Sequence, residues 1–400
     1  MIELDDLRRT PNALAADYSA FRVADRLLLT GHSHQAWPDV ARDGVLEAFE
    51  DAARAVDEKW EQAFAKAERV RDGFRSLLGE PDAELALGQN THELVLRFLS
   101  SLALRSRPRL VTSDGEFHTL RRQLPRLAEE GLELVVLPAR PAETLAERMA
   151  AAVDARTSAV LVSAVLYADS RIVAGLAELA KACGESGAEL LVDAYHALGA
   201  LPFRTRDHGL ETAWIVGGGY KYLQLGEGNC FLRLPPQADE LRPVVTGWFS
   251  EFAELAAAHE PGTVRYPSGG ARFAGATYDP TSHYRAARVF DFFDERGLTP
   301  ELLREAYLHQ TSLLARVFDE LGLPESAIRR DRETPLERFG AFLALESERA
   351  EELSRSLAED GVLADSRGLY LRLGPAPYLS DAQLEEAVGR LGPASSRRRP

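Results

Sequence analysis

"AVLVSAVLYADSRIVAGLAELAKACGESGAELLVDAYH", residues 159–196, holds two apolar runs on either side of a segment with helical spacing. The run "AVLVSAVLY" and the shorter "ELLVD" are continuous rather than alternating, as strands are when both of their faces are covered. The stretch "AGLAELAKACGESG" between them has the period and the closing glycine of an amphipathic helix. Strand, helix, strand in this order is the unit from which parallel sheets are wound.

The unit repeats in both directions. Upstream, "ELALG" precedes "THELVLRFLSSL", "RLVTS" precedes "TLRRQLPRLAEEG", and "LELVVLP" precedes "AETLAERMAAAVDA"; downstream comes "WIVGGGYKYLQLGEG", residues 214–228. The chain from about Ala83 to Pro235 therefore reads as one α/β sheet domain. Before it, residues 38–78 have helical spacing of Val45, Leu46, Phe49, Ala53 and Val56, too long for one helix, with a break expected near Asp57. After Pro235 a loop-rich, aromatic segment leads into two helices and then "FGAFLALES", "AEELSRSLAEDG" and "GLYLRLGP", a second, smaller α/β module.

Four hundred residues suit one large domain with a smaller one packed on it. With 45% hydrophobic and 27% charged residues the chain can bury a sizeable core, and 62 acidic against 47 basic residues, a net charge of −15, argue against a nucleic-acid surface. The basic end "SSRRRP" reads as a disordered tail. Cys183 and Cys230 form neither a metal pattern nor a disulfide framework and read as buried packing thiols. The start "MIELDDLRRTPNALAADY" lacks a targeting pattern, and no run of about 18 apolar residues occurs; a cytoplasmic protein without membrane or nucleic-acid partners is expected.

In open α/β sheets ligands bind beyond the carboxyl ends of the strands, so the residues at those ends are the candidates for chemistry. "ELALGQNT" passes Gln89, Asn90 and Thr91 straight into a helix, an arrangement that binds anions or merely caps the helix. "RLVTSDGEFHTL" brings up Phe117 and His118. "ELLVDAYH" ends in Asp193, a carboxylate at the rim of an apolar strand that calls for a cationic partner, with His196 three residues on. The next strand delivers Lys221 after Gly217, Gly218 and Gly219, which permit close approach of backbone or ligand. "GGGYKY" lacks the spacing of a P-loop. An amine and a carboxylate on neighbouring strand ends, beside an anion-binding helix start, suit pyridoxal 5'-phosphate: its aldehyde takes the lysine, its ring nitrogen the acid, and its phosphate the helix. Phe117 would stack on the ring.

These segments resemble the fold-type I pyridoxal phosphate enzymes of aminotransferase class V, most closely the kynureninase family. "VDAYHALGALP" is similar to the family's Asp-x-x-His segment and "GYKYLQLGEGNCFL" to its lysine segment; "GEFHT", "TGW" at 246–248, "RFAGAT" at 272–277 and "GVLADSRGLYLRLGPAPY" match further stretches. The resemblance implies a mostly parallel seven-stranded sheet in a large domain, residues 30–275, and a small α/β domain, 276–392, joined by an N-terminal arm, 1–29, with 393–400 as the tail. It makes Lys221 the Schiff-base lysine and general acid/base, and Asp193 the partner of the ring nitrogen. His196 supports Asp193 or the cofactor's phenolic side, and Thr91, His92 and Tyr220 bind phosphate. Trp248 and Thr277 reach phosphate across a homodimer interface, and Arg372 takes the carboxylate of an L-amino acid substrate. The activity implied is hydrolytic Cβ–Cγ cleavage of the kynureninase kind; class V aminotransfer, or lyase or epimerase chemistry on another amino acid, is the alternative, and a cofactor-binding protein without turnover is the remote one.

Departures from the family fall on substrate recognition. Leu166 stands where an Asn is usual and Leu120 where an Asp is; "TGHSHQAWP" replaces a Gly-Asn-Ser stretch. Its His32 and His34, if on a strand, share one face and could line the substrate pocket, while nothing nearby completes a metal site. A persulfide-forming desulfurase needs a late cysteine, and none follows Cys230.

Overall fold

The rhythm centred on residues 159–196 builds the middle of a seven-stranded sheet in a computed structural model of the chain, which describes residues 2–255 and 262–392. The chain opens with α1 (Leu4–Arg8), β1 (Leu27–Leu28), α2 (Val40–Ala55) and α3 (Lys59–Leu78). The sheet region follows as β2 (Leu85–Gly88), α4 (Thr91–Ser101), β3 (Arg109–Ser113), α5 (His118–Glu129), β4 (Glu133–Leu137), α6 (Leu145–Ala152), β5 (Thr157–Ser163), α7 (Leu176–Ser186), β6 (Glu189–Asp193), β7 (Trp214–Gly218) and β8 (Cys230–Arg233). Across the sheet the order is β2, β8, β7, β6, β5, β3, β4. The neighbours from β7 to β4 are parallel, and β8 alone runs against both of its neighbours.

The continuous apolar runs have a simple cause. Every residue of β5 is buried, Val160 and Val162 in the packing cluster on one face and Ala159 and Leu161 in the cluster on the other. Helices cover both faces, so no position on the strand tolerates a charge.

Beyond the sheet come α8 (Thr281–Arg296), α9 (Pro300–Glu320), β9 (Arg329–Arg330), β10 (Leu343–Glu346), α10 (Ala350–Glu359), β11 (Val362–Leu363), β12 (Asp365–Arg367), β13 (Tyr370–Leu373) and α11 (Asp381–Gly389). Strands β12, β13, β10 and β9 form an antiparallel sheet in that order. The start of the chain is tied to this end: β1 pairs in parallel with β11, and Asn12 donates to the Pro377 carbonyl at 2.9 Å.

The expected break in the long helical stretch lies at Val56, whose φ of 51° cannot continue a helix. The apolar stripe that signals α2 faces outward: Phe49 and Val56 are 73% and 72% exposed, while Ala41 and Gly44 are buried. Gly44 is required by close packing, since a Cβ there would stand 2.6 Å from the Tyr284 carbonyl oxygen of α8. Both cysteines are buried free thiols, as expected. The tail 393–400 lies outside the described residues. Among the described residues no helix is long and apolar enough to cross a membrane.

Candidate functional site

The carboxyl ends of β5, β6 and β7 and the starts of α4 and α5 converge on a cavity of about 280 Å³. Seven of the residues singled out in the sequence line it: Thr91, His92, Phe117, Asp193, His196, Tyr220 and Lys221. Asn90 is the N-cap of α4, its side chain accepting from the Glu93 N–H at 2.9 Å, which leaves the Thr91 and His92 side chains at the cavity wall. The three glycines before Lys221 serve close packing rather than a left-handed turn: a Cβ on Gly218 would meet Cys230 Sγ and the Tyr195 ring at 2.6 Å, and one on Gly219 would lie 2.2 Å from Leu225.

Lys221 is buried, and its Nζ shares a 2.7 Å hydrogen bond with His196 Nε2. Aromatic rings surround the amine, with Tyr195, Phe117 and Tyr220 centroids at 4.7, 5.2 and 5.6 Å. Burial pulls its pKa down to about 7, with Asp193 opposing and Arg372 adding to the fall. His196 is neutral, driven well below its ordinary value by burial and then by Lys221. Asp193 accepts from the Tyr195 N–H at 2.9 Å through Oδ1; among the described residues its other oxygen has no hydrogen-bond partner. Burial raises the Asp193 pKa, and the Tyr195 N–H and Lys221 work against that.

An amine that is neutral near pH 7 is a ready nucleophile and base, and a carboxylate with a free oxygen on the same cavity can take a ring N–H. Pyridoxal phosphate needs those two groups, an aromatic cover and an anion-binding helix start, and the side chains that line this cavity meet each requirement. The wall also holds residues not singled out as site residues in the sequence, among them Ser163, Tyr167, Tyr195 and Cys230. Tyr167 closes an apolar run, where an aromatic reads as core, and Tyr195 lies between the candidates Asp193 and His196. Ser163, the last residue of β5, could have been found by treating that strand end like the others.

The remaining candidates lie elsewhere. Trp248, 44% exposed, donates its indole N–H to Thr277 Oγ1 at 3.2 Å; Thr277 lines a separate cavity of about 340 Å³ that shares Gln89 with the first. Arg372 is buried with its fork engaged: Nε and Nη2 donate to Asp365 at 2.8 and 2.6 Å and Nη1 to the Tyr167 carbonyl at 2.5 Å. His32 and His34 do not share a strand face, because residues 31–33 form a turn in which the Ser33 and His34 N–H groups both donate to Thr30 O. His32 is buried and bonds Asp365 at 2.8 Å, whereas His34 is exposed, stacked on Tyr220 at 4.9 Å. Burial lowers the His32 pKa to about 4. Burial alone would raise Asp365, but His32 and Arg372 hold it well below the ordinary carboxylate range. Leu120 and Leu166 are buried in apolar clusters, on opposite faces of the sheet. Among the described residues no group of three or more His, Cys, Asp or Glu side chains could hold a metal ion.

No family model matches the chain. The uncharacterised aminotransferase YcbU of Bacillus subtilis (strain 168) is 22% identical to it over 351 residues, 86% of this chain and 88% of that one. A kynureninase of Geobacillus thermodenitrificans is 24% identical over 349 residues, covering 81% and 77%. Among solved structures, a variant of C-DES with glycine covalently linked to the PLP cofactor superposes with a TM-score of 0.82 at 15% identity, over 94% of this chain and 98% of that one. The class V resemblance drawn from the sequence is borne out: the relatives are aminotransferase- and kynureninase-like, and the architecture is that of the fold-type I pyridoxal phosphate enzymes.

Proposed function

We propose that this chain is a pyridoxal phosphate-dependent enzyme that removes the Cα proton of an L-amino acid. The observation that carries the reading is the cavity shared by a buried, easily deprotonated Lys221 amine and the free oxygen of Asp193. When bound, pyridoxal phosphate supplies an electron sink for the pair left at the substrate Cα. Lys221 would hold the cofactor through its aldehyde, and the same Nζ, its pKa lowered to about 7, would take the proton from the substrate Cα. His196, neutral and 2.7 Å away, aims that nitrogen. Asp193 would keep the proton on the cofactor's ring nitrogen, Phe117 would cover the ring, and Thr91, His92 and Tyr220 would hold the phosphate. Arg372 has spent three of its five N–H groups on Asp365 and Tyr167, and the other two remain for a substrate carboxylate. His32 acts behind Arg372, through Asp365, and His34 stands beside Tyr220.

We take the working form to be a cytoplasmic homodimer in which Trp248 and Thr277 reach the partner's phosphate. The exposed Val244, Val245, Trp248 and Phe252 supply apolar surface for that contact. In the division into 1–29, 30–275 and 276–392, the pairing of β1 with β11 supports placing the arm 1–29 with the small domain.

Of the possible outcomes, kynureninase-like Cβ–Cγ hydrolysis is the first reading. Class V aminotransfer is the second, favoured by Leu120 and Leu166, which place no polar group where kynureninases carry one. The test is to incubate the holoenzyme with kynurenine, 3-hydroxykynurenine and a panel of L-amino acids. Anthranilate-type products with alanine support the first reading, and an oxo acid supports the second. A purified chain that takes up no pyridoxal phosphate overturns both.

A further inference from the structure

Strands β3 and β5 end in Ser113 and Ser163, and a carboxyl group is sealed between them. Glu116 is fully buried; Oε1 accepts from Ser113 Oγ and Oε2 from Ser163 Oγ, both at 2.6 Å. No basic side chain pairs with it among the described residues. A buried carboxylate without a cation is costly, so the group is favoured as the neutral acid. In that form one of the two contacts runs from the carboxylic O–H to a serine and the other from a serine to the carboxyl.

The position matters for the cavity. Ser163 lies on the cavity wall and is the Cα partner of Asp193 across β5 and β6, while Phe117 is the next residue in the chain. The other titratable groups of the Glu116 loop are turned elsewhere: Asp114 accepts from the Ala139 N–H at 2.7 Å, and His118 packs its ring on Phe117 and Tyr167. Asp193 is the charged group that bears on Glu116, and the cavity already depends on the charge of Asp193. We infer that Glu116 is a positioning residue that works as a neutral acid: it ties the end of β3 to the end of β5 through two serines, setting Phe117 and Ser163 around the cofactor ring and leaving Asp193 as the one buried carboxylate charge there. Burial pushes its pKa up to about 7, the serine bonds pulling down and the charge of Asp193 pushing up.

The inference rests on the pyridoxal phosphate reading, and the test separates the two. Gln is neutral and can accept from one serine while donating to the other. E116Q should therefore bind pyridoxal phosphate, titrated by absorbance, within about two-fold of the parent, and E116A about ten-fold more weakly. S163A, which removes one bond without touching the carboxyl group, should fall between them and serves if E116A does not fold. In the cofactor-free protein the folded carboxyl titrates near 7 and the unfolded one near 4.3. Between those values the folded parent binds more protons, so its stability falls as pH rises. The melting temperature of E116Q should thus gain on the parent from about pH 5 to 7 and hold its lead above. Parent-like affinity in both E116A and S163A, an E116Q as weak as E116A, or a lead that does not change with pH would each overturn the inference. If the parent binds no pyridoxal phosphate, the cofactor reading fails while the melting comparison still reports on Glu116.

Discussion

Replacing Lys221 with Met should make the cofactor-free protein more stable, and more so in acid than in base. The amine titrates near 7 in the fold and near 10.4 when unfolded. Over that interval the unfolded chain binds the extra proton, so the parent gains stability as pH rises. Below pH 7 the full difference is felt, roughly 3.5 pH units at about 1.36 kcal/mol each, or about 5 kcal/mol. By pH 9 only about 2 kcal/mol of it remains. Met fills a similar volume without the charge, but it leaves His196 Nε2 without its partner, which costs about 1–2 kcal/mol. The net expectation for Lys221→Met is a gain of about 3 kcal/mol at pH 6 that shrinks towards zero near pH 9. Urea unfolding of parent and variant at pH 6, 7.5 and 9 measures it. Equal midpoints at pH 6, or a gain that is the same at all three values, would show that the amine is not held in a desolvated site and would remove the argument for its reactivity.

Asp193→Asn should slow exchange of the substrate Cα proton by about 10²-fold or more while pyridoxal phosphate stays bound; deuterium wash-in followed by NMR gives the rate. Asp365→Asn leaves Arg372 buried without its counter-charge and should cost about 3 kcal/mol, read from the urea midpoint. The Asp365 carboxyl lies below its unfolded value, so that contribution is present above about pH 4 and is lost as pH falls further. Gly44→Ala sets a methyl group against the backbone of α8 and should cost about 2 kcal/mol or more in the same assay.

The sheet was legible because β5 and β6 are apolar throughout, and that pattern arises only where both faces are covered. Asp193 and Lys221 were legible because a charge directly after such a strand has few structural reasons to be there. Other features depend on contacts that no local pattern records. Glu116 sits in "SDGEFHT", a polar stretch that reads as a surface turn until the two strand-end serines close on it. His32 and His34 have the spacing of a strand face, but Thr30 draws the chain into a turn, so one ring goes inward and the other out. Arg372 was legible only through the resemblance of "GVLADSRGLYLRLGPAPY" to a family segment, while its engagement by Asp365 required the pairing of β12 with β13, in which residues 365 and 372 stand opposite each other. The outward stripe of α2 shows the limit of periodicity, which reports a helix without saying which way it faces.

The lone reversed strand, β8, also governs the order in which this protein can be assembled. Among the described residues β2 lies at the sheet edge with β8 as its only neighbour there, and most of the parallel core separates the two in sequence. As the chain leaves the ribosome, residues 85–88 must wait for residues 230–233 before they can join the sheet, while β3 to β7 already have neighbours to pair with. A nascent or prematurely terminated chain lacking β8 would therefore expose the flank of β7 and a stranded apolar segment together, the combination most prone to aggregation and to capture by chaperones.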